Sequence, residues 1–291
     1  MAIGLKMIEY SEVTRHPFKS QERMTWYRIN SFLMDVGQIG ADLKLGKSDL
    51  VHIGGTATFY HAYNAFGPKV VSHFRGTHDM DVICFNPGAM QRLLDVLKTD
   101  PDSQVSGYTV SYSHLPDKKK FNVVLKNSRV PGLANAIPID YYETKTDRID
   151  FNNRVISRDR IVLDPPQTLE LRTLNPYKTR GLVSVASLRD SFVIKMDVMD
   201  FSRLGLRSKD KLDALTYLAI CDQTGYGFCN LLEAVKQTSS RDSWLRKFNA
   251  LEELFKNPQE EYALLGQDNP LLPKQETLTK ATEAIQKVKR S

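Results

Sequence analysis

The 291-residue sequence is poor in cysteine and lacks a long apolar run, an internal repeat and a low-complexity segment. Its cysteines, Cys84, Cys221 and Cys229, are odd in number and form no C-x-x-C pair, so we expect reduced thiols and no zinc site. No stretch approaches the roughly 20 apolar residues that cross a bilayer, and the first residues lack a signal-type apolar core. These absences predict a cytoplasmic protein without a membrane partner.

The composition is that of a folded protein, with 41% hydrophobic and 25% charged residues. The length suffices for one large domain or two modest ones, and we favour two lobes. A formal net charge of +6 and an isoelectric point near 9.0 are compatible with a polyanionic partner. The same balance is common in proteins that bind no nucleic acid, so charge alone decides little.

The segment from His52 to Phe85 carries the most chemical information. An apolar strand around residues 50–53 is predicted to stop at Gly54 and Gly55, and the run Thr56 to Phe66 has the apolar spacing of a helix. Glycines at such a turn allow close approach of a ligand to the backbone, and the N–H groups of a helix start suit phosphate. The ordinary alternative is a plain turn.

A pair of aspartates follows in the motif R-G-T-H-D-M-D-V-I-C-F. Asp79 and Asp81 alternate with apolar residues, so on a strand both would lie on one face, with Cα atoms about 6–7 Å apart. Two carboxylates so close repel each other unless a cation lies between them, and oxygen ligands suit Mg²⁺ shared with substrate phosphates. A solvent-facing edge strand is the ordinary alternative.

Further strands are predicted after this segment, with a hairpin over residues 108–125 and a strand over Ala136 to Glu143 that contains Asp140. Lys118, Lys119 and Lys120 are predicted to lie in the charged turn of the hairpin. Lysines in such a turn are usually solvated, and contact with an RNA backbone is the functional alternative.

The order G-G-x-A followed by R-x-T-x-D-x-D resembles the nucleotidyltransferase (polymerase-beta-like) superfamily. Within it, the chain is most similar to the AbiEii/MenT-like toxins of bacterial type IV toxin–antitoxin systems. The resemblance implies a Mg²⁺ (or Mn²⁺) site formed by Asp79, Asp81 and Asp140, in which the third carboxylate can also deprotonate the attacking hydroxyl. Glu143 and Asp147 are the nearby alternatives to Asp140 as this third carboxylate. It also implies that the nucleotide is bound by Gly54, Gly55, Thr56, Arg75 and Thr77.

A second motif lies in the C-terminal part, where Lys195 precedes the run K-D-K-L-D. It resembles the second-lobe signature of the same toxins, which implies that Lys195 contacts the nucleoside triphosphate and that Asp210 completes the site, with Asp213 also at the nucleotide. The residues allow simpler roles: Lys195 could reach the surface, Asp210 could interact with a helix dipole, and Asp213 could pair with Lys209.

These observations predict an α+β protein with a nucleotidyltransferase-type mixed sheet and flanking helices, followed by an all-helical lobe. The expected domains are residues 1–165, which are catalytic, and residues 166–291, which close the nucleotide cleft.

The expected function is transfer of a nucleoside monophosphate from a nucleoside triphosphate to RNA, with release of pyrophosphate. By the resemblance, the acceptor is the tRNA 3′ end, modification inhibits translation and growth, and a cognate antitoxin is a candidate partner. The alternatives are a transferase that modifies a small molecule such as an antibiotic, and a non-catalytic interaction protein on the same scaffold.

Overall fold

The computed structural model describes a defined set of residues. They are residues 7–9, 33, 36–37, 39–46, 49–77, 79–86, 88–99, 108–115, 118–125, 136–143, 148–151, 154–157, 166–172, 181–200, 207–266 and 268–291. Two compact units are formed. The first comprises Met1–Thr56, Gly76–Asp159 and Pro165–Ala186, and the second comprises Ala57–Arg75, Arg160–Asp164 and Ser187–Ser291.

The first unit is built on a mixed β-sheet, as predicted. The strands are β1 (Met7–Glu9), β2 (Leu50–Ile53), β3 (Met80–Cys84), β4 (Tyr108–Leu115), β5 (Lys118–Leu125), β6 (Ala136–Glu143), β7 (Arg148–Phe151), β8 (Arg154–Ser157), β9 (Gln167–Arg172) and β10 (Gly181–Val185). Eight of them form one sheet in the order β1-β9-β10-β2-β3-β6-β5-β4, and β7 pairs with β8 separately. Strand β2 is antiparallel to β3, whereas β3 is parallel to β6.

Two features of this sheet differ from the sequence pattern. Lys118, Lys119 and Lys120 are the first residues of β5 rather than a turn, because the ladder with β4 already begins at the pair Leu115 and Lys118. Strands β9 and β10 follow the predicted domain boundary at residue 165, yet they pair within the same sheet, where β10 lies next to β2. The division into residues 1–165 and 166–291 stays a prediction.

Helices make up the described part of the chain after Ala186, in agreement with the predicted helical C-terminal part. The helices whose bounds lie in the described residues are α1 (Gly54–Phe66), α2 (Val70–His73), α3 (Ala89–Thr99), α4 (Leu188–Asp200), α5 (Ser208–Thr224), α6 (Phe228–Thr238), α7 (Arg241–Lys256), α8 (Gln259–Leu265) and α9 (Gln275–Arg290). Helix α1 begins at the last residues of the first unit and continues into the second.

A chain of aromatic contacts forms the core of the second unit. Phe192 of α4 makes edge-on contacts with Tyr217 of α5 and Phe228 of α6, with ring centroids 5.6 and 5.8 Å apart. Phe228 in turn contacts Phe255 of α7. Helix α9 adds a buried stripe that includes Leu278 and packs on α6 and α7. Burial of these large side chains is the main favourable contribution to the stability of this unit.

Replacement of Leu251 by alanine tests this core. Leu251 is fully buried in α7, so Leu251→Ala should lower the free energy of unfolding by about 2–5 kcal/mol. The matched control is Leu264→Ala, because Leu264 is 63% exposed in α8 and its loss should change stability by about 0.5 kcal/mol or less. Urea unfolding followed by circular dichroism makes the comparison, and equal losses for the two variants would contradict the assigned core.

Candidate functional site

The turn between β2 and α1 brings a backbone and a carboxylate into unusually close contact. Gly54 has a φ of +62°, and a Cβ added to it would lie 2.4 Å from Oδ2 of Asp81. Both the positive φ and the lack of space require glycine at this position. The glycine turn was predicted from the sequence, but the carboxylate that approaches it is a finding of the structure.

Thr56 lies in the first turn of α1, immediately after Gly54 and Gly55. Thr56 is 1% exposed, and its Oγ1 atom is buried without a hydrogen-bond partner among the residues that the structure describes. A buried hydroxyl without a partner costs free energy, which a ligand that accepts or donates a hydrogen bond there would recover. Backbone N–H groups at the first turn of a helix also favour anions. The turn therefore combines a glycine backbone, a buried hydroxyl and the N–H groups of a helix start, and each of these suits phosphate.

Asp81 and Asp140 occupy matching positions on neighbouring strands. In the parallel ladder of β3 and β6 they are direct partners, so they lie on the same face of the sheet, about 5 Å apart across the strands. Both are partly exposed, whereas Met80 and Val82, on the opposite face of β3, are fully buried. The structure thus brings together two of the three predicted carboxylates.

Asp79 precedes β3 by one residue, and its conformation is fixed locally. The Thr77 hydroxyl donates its one hydrogen towards two acceptors of Asp79, the carbonyl oxygen and the Oδ1 atom, each 3.2 Å from Oγ1. Thr77 is 3% exposed, so it holds Asp79 from a buried position. Whether Thr77 also binds a nucleotide, as the resemblance implies, stays a prediction.

The predicted metal ligands have the right chemistry for a hard divalent cation, since all are carboxylates. Asp81 is fixed against the Gly54 backbone and Asp140 lies beside it in the sheet. Across the described ranges, however, no three acidic, histidine or cysteine side chains converge as a ready metal site. Metal binding by Asp79, Asp81 and Asp140 therefore stays a prediction that two neighbouring carboxylates support.

The second unit contains a buried cluster of charged side chains around Lys195. Its Nζ atom lies 2.7 Å from Asp213 Oδ2 and 3.1 Å from Asp210 Oδ1. Arg75 makes a two-point contact with Asp213, through Nε and Nη2, both at 2.8 Å. Arg207 contacts Asp210 through Nε at 2.5 Å. The motif residues of α4 and α5 are thus joined into one ion-pair network.

The contacts of this network test the simpler roles that the sequence allowed for Lys195, Asp210 and Asp213. Lys195 is 7% exposed, so it does not extend to the surface. Asp213 pairs with Arg75 and Lys195 rather than with Lys209. Asp210 is in the first turn of α5, where the helix dipole does favour it, but its carboxylate also binds two cations.

The contact of Arg207 with Asp210 was not predicted from the sequence. Arg207 stands at the N-cap of α5, three residues before Asp210, and that spacing was the one available signal. A second missed contact joins Thr58 of α1 to the hydroxyl of Tyr217 on α5, at 3.1 Å. Both residues are buried, so this hydrogen bond fixes the helix that carries Asp213.

The pKa values reflect the charges of the network. Burial acts to raise the pKa of Asp213, but the positive charges of Arg75 and Lys195 outweigh it and lower the pKa to about 2. Burial acts to lower the pKa of Lys195, and the carboxylates of Asp213 and Asp210 raise it overall. Both groups are therefore charged at neutral pH.

Comparisons with known proteins yield only distant structural similarities. No protein-family model and no curated protein sequence matches the chain. Among solved structures, the chain is similar to MenT4, a nucleotidyltransferase toxin of Mycobacterium tuberculosis H37Rv, with a TM-score of 0.49 and 12% identity over 97% of this chain and 89% of that one. It is also similar to the Megavirus polyadenylate synthase, with a TM-score of 0.29 and 11% identity over 80% and 35% of the two chains.

A third similarity is to a cytoplasmic RNA terminal U-transferase, with a TM-score of 0.27 and 8% identity over 97% and 91% of the chains. Likenesses at this level do not establish an activity, so a functional assignment must rest on the residues described above. No helix in the described ranges has the length and apolar character needed to cross a membrane.

Replacement of Gly54 by alanine should disturb the Asp81 carboxylate. The positive φ alone costs about 1 kcal/mol, and the 2.4 Å approach should add about 1–3 kcal/mol to the loss of stability. Gly67→Ala is the matched control, because Gly67 has a φ of +72° and no atom within 4 Å of an added Cβ.

A double-mutant cycle, measured by urea unfolding, tests the clash between a methyl group at position 54 and the Asp81 carboxylate. Asp81→Ala should recover part of the stability that Gly54→Ala loses, because it removes the carboxylate that the new methyl group meets. Additive effects of the two substitutions would show that the two groups do not contact each other.

Asp213→Asn should have an effect that depends on pH. The pKa of Asp213 in the folded protein, about 2, is below its ordinary value of 3.8, so the carboxylate stabilises the fold above pH 4. That shift corresponds to about 2 kcal/mol, which is lost as the pH falls towards 2. The stability difference between wild type and Asp213→Asn should therefore shrink between pH 5 and pH 2.

The control for this pH series is Asp242→Asn, because Asp242 is exposed at the start of α7. Its difference from wild type should be small at every pH. A stability difference for Asp213→Asn that stays constant over the range would contradict the assigned network.

Proposed function

We propose that the protein is a divalent-metal-dependent nucleotidyltransferase that transfers a nucleoside monophosphate from a nucleoside triphosphate to an RNA acceptor. The observation that carries the proposal is the pairing of Asp81 with Asp140 on one face of the sheet, directly beside the Gly54 turn and the start of α1. Paired carboxylates next to a phosphate-type turn are the arrangement that such a transfer needs.

Each part of this arrangement has a chemical role in the proposal. The N–H groups of the first turn of α1 and the Thr56 hydroxyl bind phosphate oxygens. Asp79, Asp81 and Asp140 would hold Mg²⁺ or Mn²⁺. When bound, the ion would supply neutralisation of phosphate charge and a lower pKa for the acceptor hydroxyl. Lys195 and Arg75, which the resemblance assigns to the nucleotide, are paired with Asp210 and Asp213 in the structure.

The reaction exchanges one P–O bond for another and transfers one proton. The acceptor hydroxyl oxygen attacks the α-phosphorus, the bond between this phosphorus and the bridging oxygen to the β-phosphate breaks, and pyrophosphate leaves. Asp140 is the group proposed to accept the hydroxyl proton, because it lies beside Asp81 on the carboxylate face of the sheet.

An RNA acceptor is favoured by the basic residues of the sequence. Lys118, Lys119 and Lys120 follow one another in the chain, and Lys120 pairs with Asp140 in the backbone ladder of β5 and β6. A polyanion is attracted to a run of lysines, and the formal net charge of +6 acts in the same direction. By the resemblance, we further propose that the acceptor is the tRNA 3′ end and that the protein acts as a growth-inhibiting toxin with a cognate antitoxin.

Incubation of the protein with total RNA, Mg²⁺ and each α-³²P-labelled nucleoside triphosphate tests the proposal. We expect label in RNA of tRNA size with a preferred nucleotide, and Asp81→Asn and Asp140→Asn should each lower the rate by at least about 100-fold. Asp95→Asn is the control, since Asp95 is exposed on α3 and should keep the wild-type rate.

The outcomes separate the competing functions. Label in a small-molecule acceptor and none in RNA would favour an antibiotic-type transferase. Full activity of folded Asp81→Asn would place the chemistry elsewhere, and absence of any transferred label would favour a non-catalytic interaction protein.

A further inference from the structure

Two threonines near the start of α1 are equally buried but differ in their hydrogen bonds. Thr56 is 1% exposed and Thr58 is 0% exposed. Among the described residues Thr56 Oγ1 has no hydrogen-bond partner, whereas Thr58 Oγ1 lies 3.1 Å from the hydroxyl oxygen of Tyr217 on α5. Buried hydroxyls are normally paired, because an unpaired one costs free energy. The Thr58 hydroxyl is thus bound within the protein, and the Thr56 hydroxyl is the one that suits a ligand.

A second buried hydrogen bond holds the same part of α1. Nε2 of His61, three residues after Thr58, lies 3.4 Å from Oγ of Ser191 on α4. Residues three apart lie on the same side of a helix, so this side of α1 is bound by both α5 and α4. Thr58, His61, Ser191 and Tyr217 all belong to the second unit.

These hydrogen bonds add a directional restraint to the packing of α1. Phe59 and Tyr60 are fully buried, but hydrophobic contacts depend little on direction. A hydrogen bond weakens steeply when its distance or angle changes. Burial raises the pKa of Tyr217, so its hydroxyl keeps its proton at neutral pH and can donate to Thr58. The bond between Thr58 and Tyr217 therefore fixes the rotation of this part of α1 against α5.

The position of Thr58 matters for the helical turn that precedes it. Helix α1 is continuous from Gly54 to Phe66, and in an α-helix the N–H group of residue 58 bonds the carbonyl oxygen of residue 54. Thr58 therefore closes the turn that presents the Thr56 hydroxyl and the first N–H groups of α1. Helix ends tend to fray, so a side chain anchored at this point restrains the turn.

We propose that Tyr217 is a positioning residue for phosphate binding: through Thr58, its hydroxyl holds the first turn of α1 in the conformation that binds the triphosphate. The inference rests on the proposed function, which supplies the ligand and assigns its phosphates to this turn. Tyr217 is 1% exposed and acts only through Thr58. A turn that is already ordered binds more tightly, because the ligand does not have to order it.

Tyr217→Phe tests the role of the hydroxyl and keeps the aromatic ring in the core. Inorganic tripolyphosphate is titrated with Mg²⁺ into each variant by isothermal titration calorimetry. We expect Kd to rise about 3- to 10-fold for Tyr217→Phe, which corresponds to the loss of one buried hydrogen bond. In the labelling assay, KM for the nucleoside triphosphate should rise with Kd, and kcat should stay within about 2-fold of wild type.

Tyr262→Phe is the matched control. It removes the same hydroxyl group from another tyrosine of the second unit, and the Tyr262 hydroxyl donates to the carbonyl oxygen of Pro273 rather than to α1. Its Kd for tripolyphosphate should stay within about 2-fold of wild type. Equal increases of Kd in Tyr217→Phe and Tyr262→Phe would assign the effect to a general loss of stability and overturn the inference.

A double-mutant cycle and hydrogen exchange separate positioning from a merely structural role. Thr58→Val removes the other partner of the bond, so the double variant with Tyr217→Phe should bind tripolyphosphate about as weakly as the weaker single variant. In Tyr217→Phe, the backbone amides of residues 54–57 should exchange faster, as measured by mass spectrometry. A structural role alone would lower the Tm and leave Kd unchanged.

The outcomes also separate this inference from the proposed function. Wild-type Kd in folded Tyr217→Phe would overturn the inference alone. If Tyr217→Phe does not fold, Thr58→Val decides in the same way, and wild-type Kd in that variant would overturn the inference. A wild-type chain that binds neither tripolyphosphate nor any nucleoside triphosphate would overturn the proposed function and this inference with it.

Discussion

The close approach of the Asp81 carboxylate to the backbone of Gly54 is the constraint on which the candidate site depends. Because no Cβ fits between them, the end of β2, the start of α1 and the carboxylate of β3 have one fixed arrangement. The antiparallel pairing of β2 with β3 sets this distance, and the parallel pairing of β3 with β6 adds Asp140. A carboxylate pair and a helix N-terminus are thereby positioned by the rigid sheet rather than by a loop, which favours preorganised chemistry.

The charged network of the second unit is held together by internal ion pairs. Its carboxylates are almost fully buried and each binds two cations, so their charges are balanced within the protein. Breaking one partner of such a buried network is costly, because an uncompensated charge remains. Lys195 is therefore best understood as the centre of a buried ion-pair network.

Local patterns in the sequence were sufficient to predict the elements of the site. Apolar alternation located β2 and β3, the glycine pair located the turn, and helical spacing placed Lys195 on α4 and Asp210 on α5. These features depend on neighbours in the chain, so they are visible in one sequence. The helical C-terminal part was predictable for the same reason.

Other features depend on contacts between distant residues, and no local pattern reports them. The ladder that pairs Asp81 with Asp140, the return of β9 and β10 to the sheet, and the contact of Arg75 with Asp213 are of this kind. Strand β5 was predicted to begin after its lysines, because charge suggested a turn, but pairing with β4 overrides the weak strand propensity of lysine. The contact of Arg207 with Asp210 likewise became visible only in the structure.

The most direct test of the central claim is the position of a divalent cation in the site. Crystals grown with Mn²⁺ and a non-hydrolysable nucleoside triphosphate would show the metal by anomalous scattering. We predict a Mn²⁺ ion bonded to carboxylate oxygens of both Asp81 and Asp140, with phosphate oxygens beside it. Bound nucleotide with Mn²⁺ on other residues, or with no metal at these carboxylates, would contradict it.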